Sequence, residues 1–147
     1  MLGFLVAKLR AVAARRLPQH LRDGRRGEDL AFSYLRNQGY RIVVRNFRAR
    51  GSRGEIDLIG WDGDHLACVE VKTRKNADFG RPEGAVGREK RKQLIRASYE
   101  YARRAAVDPE RLRFDIVAVT LEPRPEIRLY KAAFGRRMDL ERRAGLG

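Results

Sequence analysis

Cysteine, histidine and long apolar runs are scarce in this sequence, and each shortage excludes a class of protein. One cysteine, Cys68, cannot form an internal disulfide, and with only two histidines there is no Cys/His zinc site. The apolar run near the start, from Met1 to Ala7, is far shorter than the roughly 20 residues that cross a bilayer. Positive charges follow this run instead of preceding it, unlike a secretory signal. We therefore expect a cytoplasmic protein without a transmembrane segment.

Acidic residues are also few relative to basic ones. The 147 residues contain 33 Lys and Arg against 19 Asp and Glu, a formal net charge of +14. The length fits one domain, and 43% hydrophobic residues are enough to fill one core. A single basic domain favours a polyanionic partner, with nucleic acid as the first hypothesis.

Three regions are expected along the chain: a basic N-terminal helix or arm over 1–22, a single folded domain over 23–134, and a basic flexible tail over 135–147. The first region has five basic residues, no acidic residue, and apolar residues at helical spacing. It is interpreted either as an arm for nucleic acid or an anionic membrane surface, or as a helix packed on the domain or a frayed terminus.

Hydrophobic periodicity predicts the element order α-β-β-β-α-β with an extra edge strand, which is an α/β fold class. The helices are expected over about 25–38 and over 88–104. The strands are expected over 41–48, 55–61, 65–74, 113–121 and 126–130. Glycine-containing turns separate the first three strands, which favours an antiparallel meander.

An acidic island interrupts the basic sequence. Residues 54–72 carry five acids and one base, whereas residues 88–104 carry seven bases and two acids. Carboxylates repel phosphate, so they help a nucleic-acid-binding protein only where a cation bridges them to the substrate. Pairing of the second and third strands would bring Asp57 beside Glu70 and Lys72.

These three residues are chemically sufficient for metal-assisted phosphodiester hydrolysis. Asp57 and Glu70 would hold Mg²⁺, and Lys72 would orient a water molecule or stabilise developing negative charge. The alternative is an ordinary solvated face of an antiparallel sheet. The apolar neighbours of these charges favour catalysis, because an unpaired charge in an interior strand is costly.

Six short motifs, in the same order along the chain, resemble the YraN family of small bacterial proteins. They are Gly24-x-x-Gly27-Glu28, Gly39-Tyr40-Arg41-Ile42, Arg45-Asn46-Phe47-Arg48, Gly54-Glu55-Ile56-Asp57-Leu58-Ile59, Val69-Glu70-Val71-Lys72-Thr73-Arg74 and Arg113-Phe114-Asp115-Ile116-Val117. That family is assigned to the PD-(D/E)XK nuclease superfamily. The resemblance covers about residues 24–131 and implies a restriction-endonuclease-like αβββαβ core, with a mixed central sheet flanked by helices.

The resemblance also implies catalytic roles. Asp57 matches the first acid of the superfamily, Glu70 the second acid and Lys72 the lysine, with Mg²⁺ or Mn²⁺ as the cofactor. Glu28 matches a first-helix glutamate that Holliday-junction-resolvase-like members use beside the metal, although an ordinary first-turn acid at the helix dipole is the alternative. Asp115 matches a family motif without an assigned role, and pairing with Arg113 or another arginine is at least as good an interpretation as a role in binding metal.

The expected function is that of a metal-dependent endonuclease that acts on DNA by structure rather than by sequence. Candidate phosphate contacts are Arg25, Arg26, Arg53, Arg74, Lys90, Arg91 and Lys92. Gln93 falls where some nucleases of the superfamily place a supporting glutamine. The alternatives are a non-catalytic nucleic-acid-binding accessory protein of DNA repair, recombination or uptake, and a binder of structured RNA. Small nucleases of this fold often form homodimers, although no sequence feature here selects an oligomer.

Overall fold

The computed structural model describes residues 17–51, 53–77 and 87–135. Most of the predicted N-terminal helix or arm, and all of the predicted tail except Gly135, lie outside the described residues. The elements are α1 (Gln19–Asn37), β1 (Arg41–Arg48), β2 (Glu55–Asp62), β3 (His65–Arg74), α2 (Arg88–Arg104), β4 (Leu112–Thr120) and β5 (Glu126–Phe134). In this described part of the chain, no helix has the length and apolar character needed to cross a bilayer.

The five strands form one mixed sheet in the order β1-β2-β3-β4-β5. Strands β1, β2 and β3 are an antiparallel meander, β3 and β4 are parallel, and β5 is antiparallel to β4. The parallel pair needs a crossover connection, which α2 supplies. The order αβββαβ, with β5 as the extra edge strand, confirms the predicted fold class and the restriction-endonuclease-like core.

Each face of the sheet packs against one helix. Ala31 and Leu35 of α1 pack with Val69, Val71 and Val117. On the opposite face, Leu94 and Ala97 of α2 pack with Ile59, Cys68 and Ile116. Because strand side chains alternate, Glu70 follows Cys68 onto the face that α2 covers.

Helix α1 begins six residues earlier than the expected position of about 25. Pro18 directly precedes it with a φ of −52°, which suits a helix start, because proline fixes this dihedral angle. Gly24 lies inside the helix and does not end it. The helix tolerates Gly24, since a single interior glycine costs it only about 1 kcal/mol.

The side-chain alternation of β2 is interrupted at Asp57. The sequence predicts that Ile56 and Leu58 share one face, but Ile56 packs in the core beneath α2 and Leu58 packs in the core beneath α1. The facing strand is irregular at the same level, where Asn46 has a φ of 54°. Asparagine tolerates this left-handed conformation better than most residues, so β1 can bend beside the acid.

Candidate active site

Asp57 is hydrogen-bonded to the segment of β3 that contains Glu70 and Lys72. Its Oδ2 accepts a hydrogen bond of 2.8 Å from the backbone N–H of Val71, which lies between those two residues. The pairing of Leu58 with Val69 fixes the register of the two strands just beyond the acid. Strand pairing therefore brings the two carboxylates and the lysine together, as the sequence predicts.

Glu70 is nearly buried, with 3% of its surface exposed. Its Oε1 lies 2.6 Å from Nζ of Lys90 and 3.4 Å from Nζ of Lys72. Its Oε2 is buried without a hydrogen-bond partner in the part of the chain that the structure describes. A buried carboxylate oxygen without a partner is costly, so this atom marks a position where a ligand would stabilise the protein.

Glu70 opposes the ionisation of Asp57. Burial and then the negative charge of Glu70 raise the pKa of Asp57 to about 8, and the hydrogen bond from Val71 opposes that shift. The charge of Glu28 adds to the rise. Two like charges in a poorly solvated site need a cation if both are to be ionised.

Glu28 approaches this pair from α1. Burial raises its pKa, Arg45 lowers it, and the charges of Glu55, Asp29 and Glu70 raise it further. The close approach of the helix depends on Gly27, which is buried directly against β3. A Cβ at Gly27 would overlap Oγ1 of Thr73 and lie 2.7 Å from its Cγ2. The glycine that precedes Glu28 therefore lets α1 contact β3 next to Lys72.

A cavity of about 330 Å³ opens beside the carboxylate pair. Asp57 and Glu70 contribute to its wall together with Lys90 and Arg53. Gln93, the candidate supporting glutamine, lines the same cavity, as do Glu55, Gly54 and Leu94. Carboxylates, cations and an amide thus meet in one recess that faces solvent.

The donor set suits a hard divalent cation. Carboxylate oxygens are the preferred ligands of Mg²⁺ and Mn²⁺, and one oxygen of Glu70 has no hydrogen-bond partner among the residues that the structure describes. Within the described ranges, no group of three or more His, Cys, Asp or Glu side chains is arranged to hold a metal. Asp57 and Glu70 would therefore act as a pair, which fits Mg²⁺ because it is usually held by one or two carboxylates together with waters and substrate phosphates.

The seven candidate phosphate contacts divide into two groups. Arg25, Arg26, Arg53 and Lys92 are exposed. The others contact protein groups: Nε of Arg74 donates to Oγ1 of Thr120, Arg91 lies over the ring of Phe134, and Lys90 contacts Glu70. The contact of Lys90 was not predicted, although Lys90 precedes Leu94 and Ala97 on the inner stripe of α2 and could have been placed by that spacing.

Asp115 is fully buried and pairs with Arg113, which is one of the two alternatives expected from the sequence. Its Oδ2 also accepts a hydrogen bond of 2.9 Å from the hydroxyl of Tyr40. Burial and the charge of Asp115 raise the pKa of Tyr40 above its usual range. Arg113 donates in addition to Asp62, which is bound by Lys131 as well. This cluster satisfies a buried charge with neighbouring donors.

Comparison with known proteins identifies the family. Residues 27–119 match the model of the Uncharacterised protein family UPF0102. The UPF0102 protein of Solibacter usitatus is 50% identical over 134 residues, which cover 91% of this chain and all of that protein. Relatives from Koribacter versatilis and Syntrophus aciditrophicus are 48% and 43% identical over 80% and 81% of this chain, and over 82% and 93% of their own lengths. The chain therefore belongs to the UPF0102 family, which is the YraN family that its motifs resemble.

Proposed function

We propose that the protein is a metal-dependent nuclease that hydrolyses phosphodiester bonds of DNA and selects its substrate by structure. The observation that carries this proposal is the meeting of Asp57 and Glu70 at a solvent-facing cavity, with Lys72 3.4 Å from Glu70. One buried oxygen of Glu70 has no hydrogen-bond partner among the described residues. A purely structural set of charges would be expected to satisfy that oxygen.

Asp57 and Glu70 would hold Mg²⁺ or Mn²⁺. The bound ion would polarise the scissile phosphate and lower the pKa of a water molecule. Lys72 lies 3.4 Å from Oε1 of Glu70 with 22% of its side chain exposed, so its ammonium group can reach both the carboxylate and a bound phosphate. It would stabilise the negative charge that develops on the phosphate oxygens. Glu28 would adjust the field at this pair through its charge.

The substrate would be held through its backbone. The exposed side chains of Arg25, Arg26, Arg53 and Lys92 can contact phosphates, and Arg53 lines the cavity itself. Phosphate contacts position a nucleic acid without reading its bases. The net charge of +14 supports strong, salt-dependent binding of this kind.

Cleavage of end-labelled single-stranded, duplex, flapped and four-way-junction DNA in Mg²⁺ and in Mn²⁺ tests the proposal. We expect wild-type activity on at least one substrate and a loss of about 100-fold or more in Lys72→Met, because methionine keeps the side-chain volume and removes the charge. Asp57→Asn should be at least as impaired. Equal cleavage by the wild type and by both variants, all purified identically, would indicate a contaminating nuclease and contradict the proposal.

One observation favours a second candidate, a non-catalytic nucleic-acid-binding accessory protein. Lys90 lies 2.6 Å from Glu70, so this carboxylate already has a cation of the protein as its partner. A closed ion pair of this kind would suit a protein that binds DNA without cleaving it. Tight, salt-sensitive binding without cleavage of any of these substrates would select this candidate.

A further inference from the structure

The ion pair between Lys90 and Glu70 is shorter than the ion pair between Lys72 and Glu70. Nζ of Lys90 reaches Oε1 of Glu70 at 2.6 Å, whereas Nζ of Lys72 lies 3.4 Å from the same atom. Lys90 belongs to the first turn of α2, and 47% of its side chain is exposed. A half-exposed lysine therefore reaches inward to a carboxylate that is almost buried.

The two lysines differ in how they are fixed. Lys72 is two residues from Glu70 on the same strand, so the backbone holds it near the carboxylate. Lys90 comes from a different element, and its four-carbon stem allows the ammonium group to move between the carboxylate and the solvent-facing cavity that it lines. Because Lys90 is partly exposed, its ammonium group can leave Glu70 and be solvated by water instead of remaining buried without a partner.

The formal charges of the recess explain why Lys90 would move. In the metal-free protein Glu70 pairs with both Lys72 and Lys90, and Glu55 on the same wall pairs with Arg48. A divalent cation held by the two carboxylates would leave both lysines in excess. The nearer and more mobile cation would then be repelled from Glu70, and a phosphodiester group in the cavity would compensate its charge.

We propose that Lys90 exchanges one ion-pair partner for another. It pairs with Glu70 in the metal-free protein, and it pairs with the substrate phosphate when a divalent metal binds. This inference rests on the proposed function, since it assumes a metal at Asp57 and Glu70. It assigns Lys90 opposite effects on two ligands. Lys90 competes with the metal in the absence of DNA, and it strengthens DNA binding once the metal is present.

Titration of the DNA-free protein with Mn²⁺, followed by electron paramagnetic resonance of the free ion, tests the first effect. We expect Lys90→Met to bind Mn²⁺ about tenfold more tightly than the wild type, because the metal no longer displaces a charge-assisted contact. Lys92→Met is the matched control, since Lys92 is exposed two residues further on the same helix. It should leave the Mn²⁺ affinity unchanged, and Lys90→Arg, which keeps a cation, should stay close to the wild type.

Binding of a short DNA duplex in Mn²⁺ tests the second effect, with Lys72→Met as the background so that cleavage does not intervene. Lys90→Met should weaken this binding several-fold while it tightens Mn²⁺ binding. Thermal melting of each variant establishes that it is folded. If the methionine variant does not fold, Lys90→Gln, which also removes the charge, replaces it in a comparison with Lys92→Gln.

The outcomes separate this inference from the proposed function. Equal Mn²⁺ affinity in the wild type and Lys90→Met would overturn the exchange and leave the nuclease proposal standing. Weaker Mn²⁺ binding in Lys90→Met would also overturn it, because Lys90 would then support the metal site. An absence of Mn²⁺ binding by the wild type and by Lys90→Met would overturn the metal site and the exchange together.

Discussion

Glu70 is the side chain on which the site depends most strongly. It is 3% exposed, two lysines share its Oε1, and its Oε2 has no partner within the described residues. A buried group usually has all its hydrogen bonds satisfied, and the exceptions concentrate where a ligand binds or a reaction occurs. At the scale of single residues, the unpaired Oε2 of Glu70 is thus the strongest sign of function among the described residues.

In a second group of charged residues, Asp62 pairs with both Arg113 and Lys131. These ion pairs predict that the stability of the protein depends on pH. Hydrogen bonds from Lys131 and Arg113 lower the pKa of Asp62 below its usual value. A carboxylate with a lowered pKa in the folded state stabilises the protein above the pKa of the unfolded chain, about 3.9, and loses this effect as the pH falls through the folded value. Asp62→Asn should therefore lower the free energy of unfolding at pH 7 by about 1 kcal/mol.

Urea unfolding at pH 7 and at pH 3 measures this difference between the wild type and Asp62→Asn. The difference in the free energy of unfolding should shrink at pH 3, because Asp62 of the unfolded wild-type chain, with a pKa of about 3.9, then binds a proton that folding must remove. Asp64→Asn is the control, since Asp64 is an exposed residue two positions further along the chain. If the free energies of unfolding of the wild type and Asp62→Asn differ equally at both pH values, the hydrogen-bond geometry of Asp62 matters and its charge does not.

At the scale of elements, the contact between α1 and β3 determines where Glu28 lies. Gly27 is buried in α1, and a side chain there would collide with Thr73, the neighbour of Lys72. Gly27→Ala should push the helix away from the strand and lower the free energy of unfolding by about 1–3 kcal/mol, as overpacking generally does. It should reduce nuclease activity too, because Glu28 moves with the helix.

Gly24→Ala provides a matched control in the same helix, where a Cβ would meet no atom within 4 Å. Alanine favours a helix over glycine, so this variant should gain roughly 0.5–1 kcal/mol in the free energy of unfolding. Adding Thr73→Ala to Gly27→Ala should recover part of the lost stability. Equal effects of alanine at positions 24 and 27 would show that the close packing at Gly27 does not matter.

The elements themselves were largely readable from the sequence, because local periodicity determines them. Helix α2 spans 88–104 and β3 spans 65–74, both as predicted. The juxtaposition of Asp57 with Glu70 and Lys72 followed from a short turn between two adjacent strands. Contacts between distant segments were missed: Tyr40 and Asp115 are 75 positions apart, and Lys90 reaches Glu70 from another element. Helical spacing could place Lys90 on the inner face of α2, but no local pattern specifies the partner in such pairs, because partners depend on how distant strands and helices pack together.

The whole molecule combines a strong positive charge with one recess that contains negative charge. Its net charge of +14 favours binding of a polyanion, whereas Asp57 and Glu70 would repel a phosphate that entered the recess. Ordinary salts can only weaken the overall attraction, since they screen it and compete with counterion release. A divalent cation held by the two carboxylates would instead bridge them to the phosphate. Such a cation should therefore strengthen DNA binding, whereas ordinary salts weaken it.

We therefore expect Mg²⁺ to tighten DNA binding at constant ionic strength, measured by fluorescence anisotropy of a labelled duplex. Lys72→Met is the suitable background, because it keeps both carboxylates and prevents cleavage during the measurement. Millimolar Mg²⁺ should increase its affinity several-fold relative to an equal ionic strength of KCl. Adding Asp57→Asn should reverse the sign, so that Mg²⁺ weakens binding as any other salt does, because one ligand and one charge of the bridge are gone. If Mg²⁺ weakens binding equally with and without Asp57→Asn, the carboxylates do not bridge a metal to DNA, and the acidic recess must have another role.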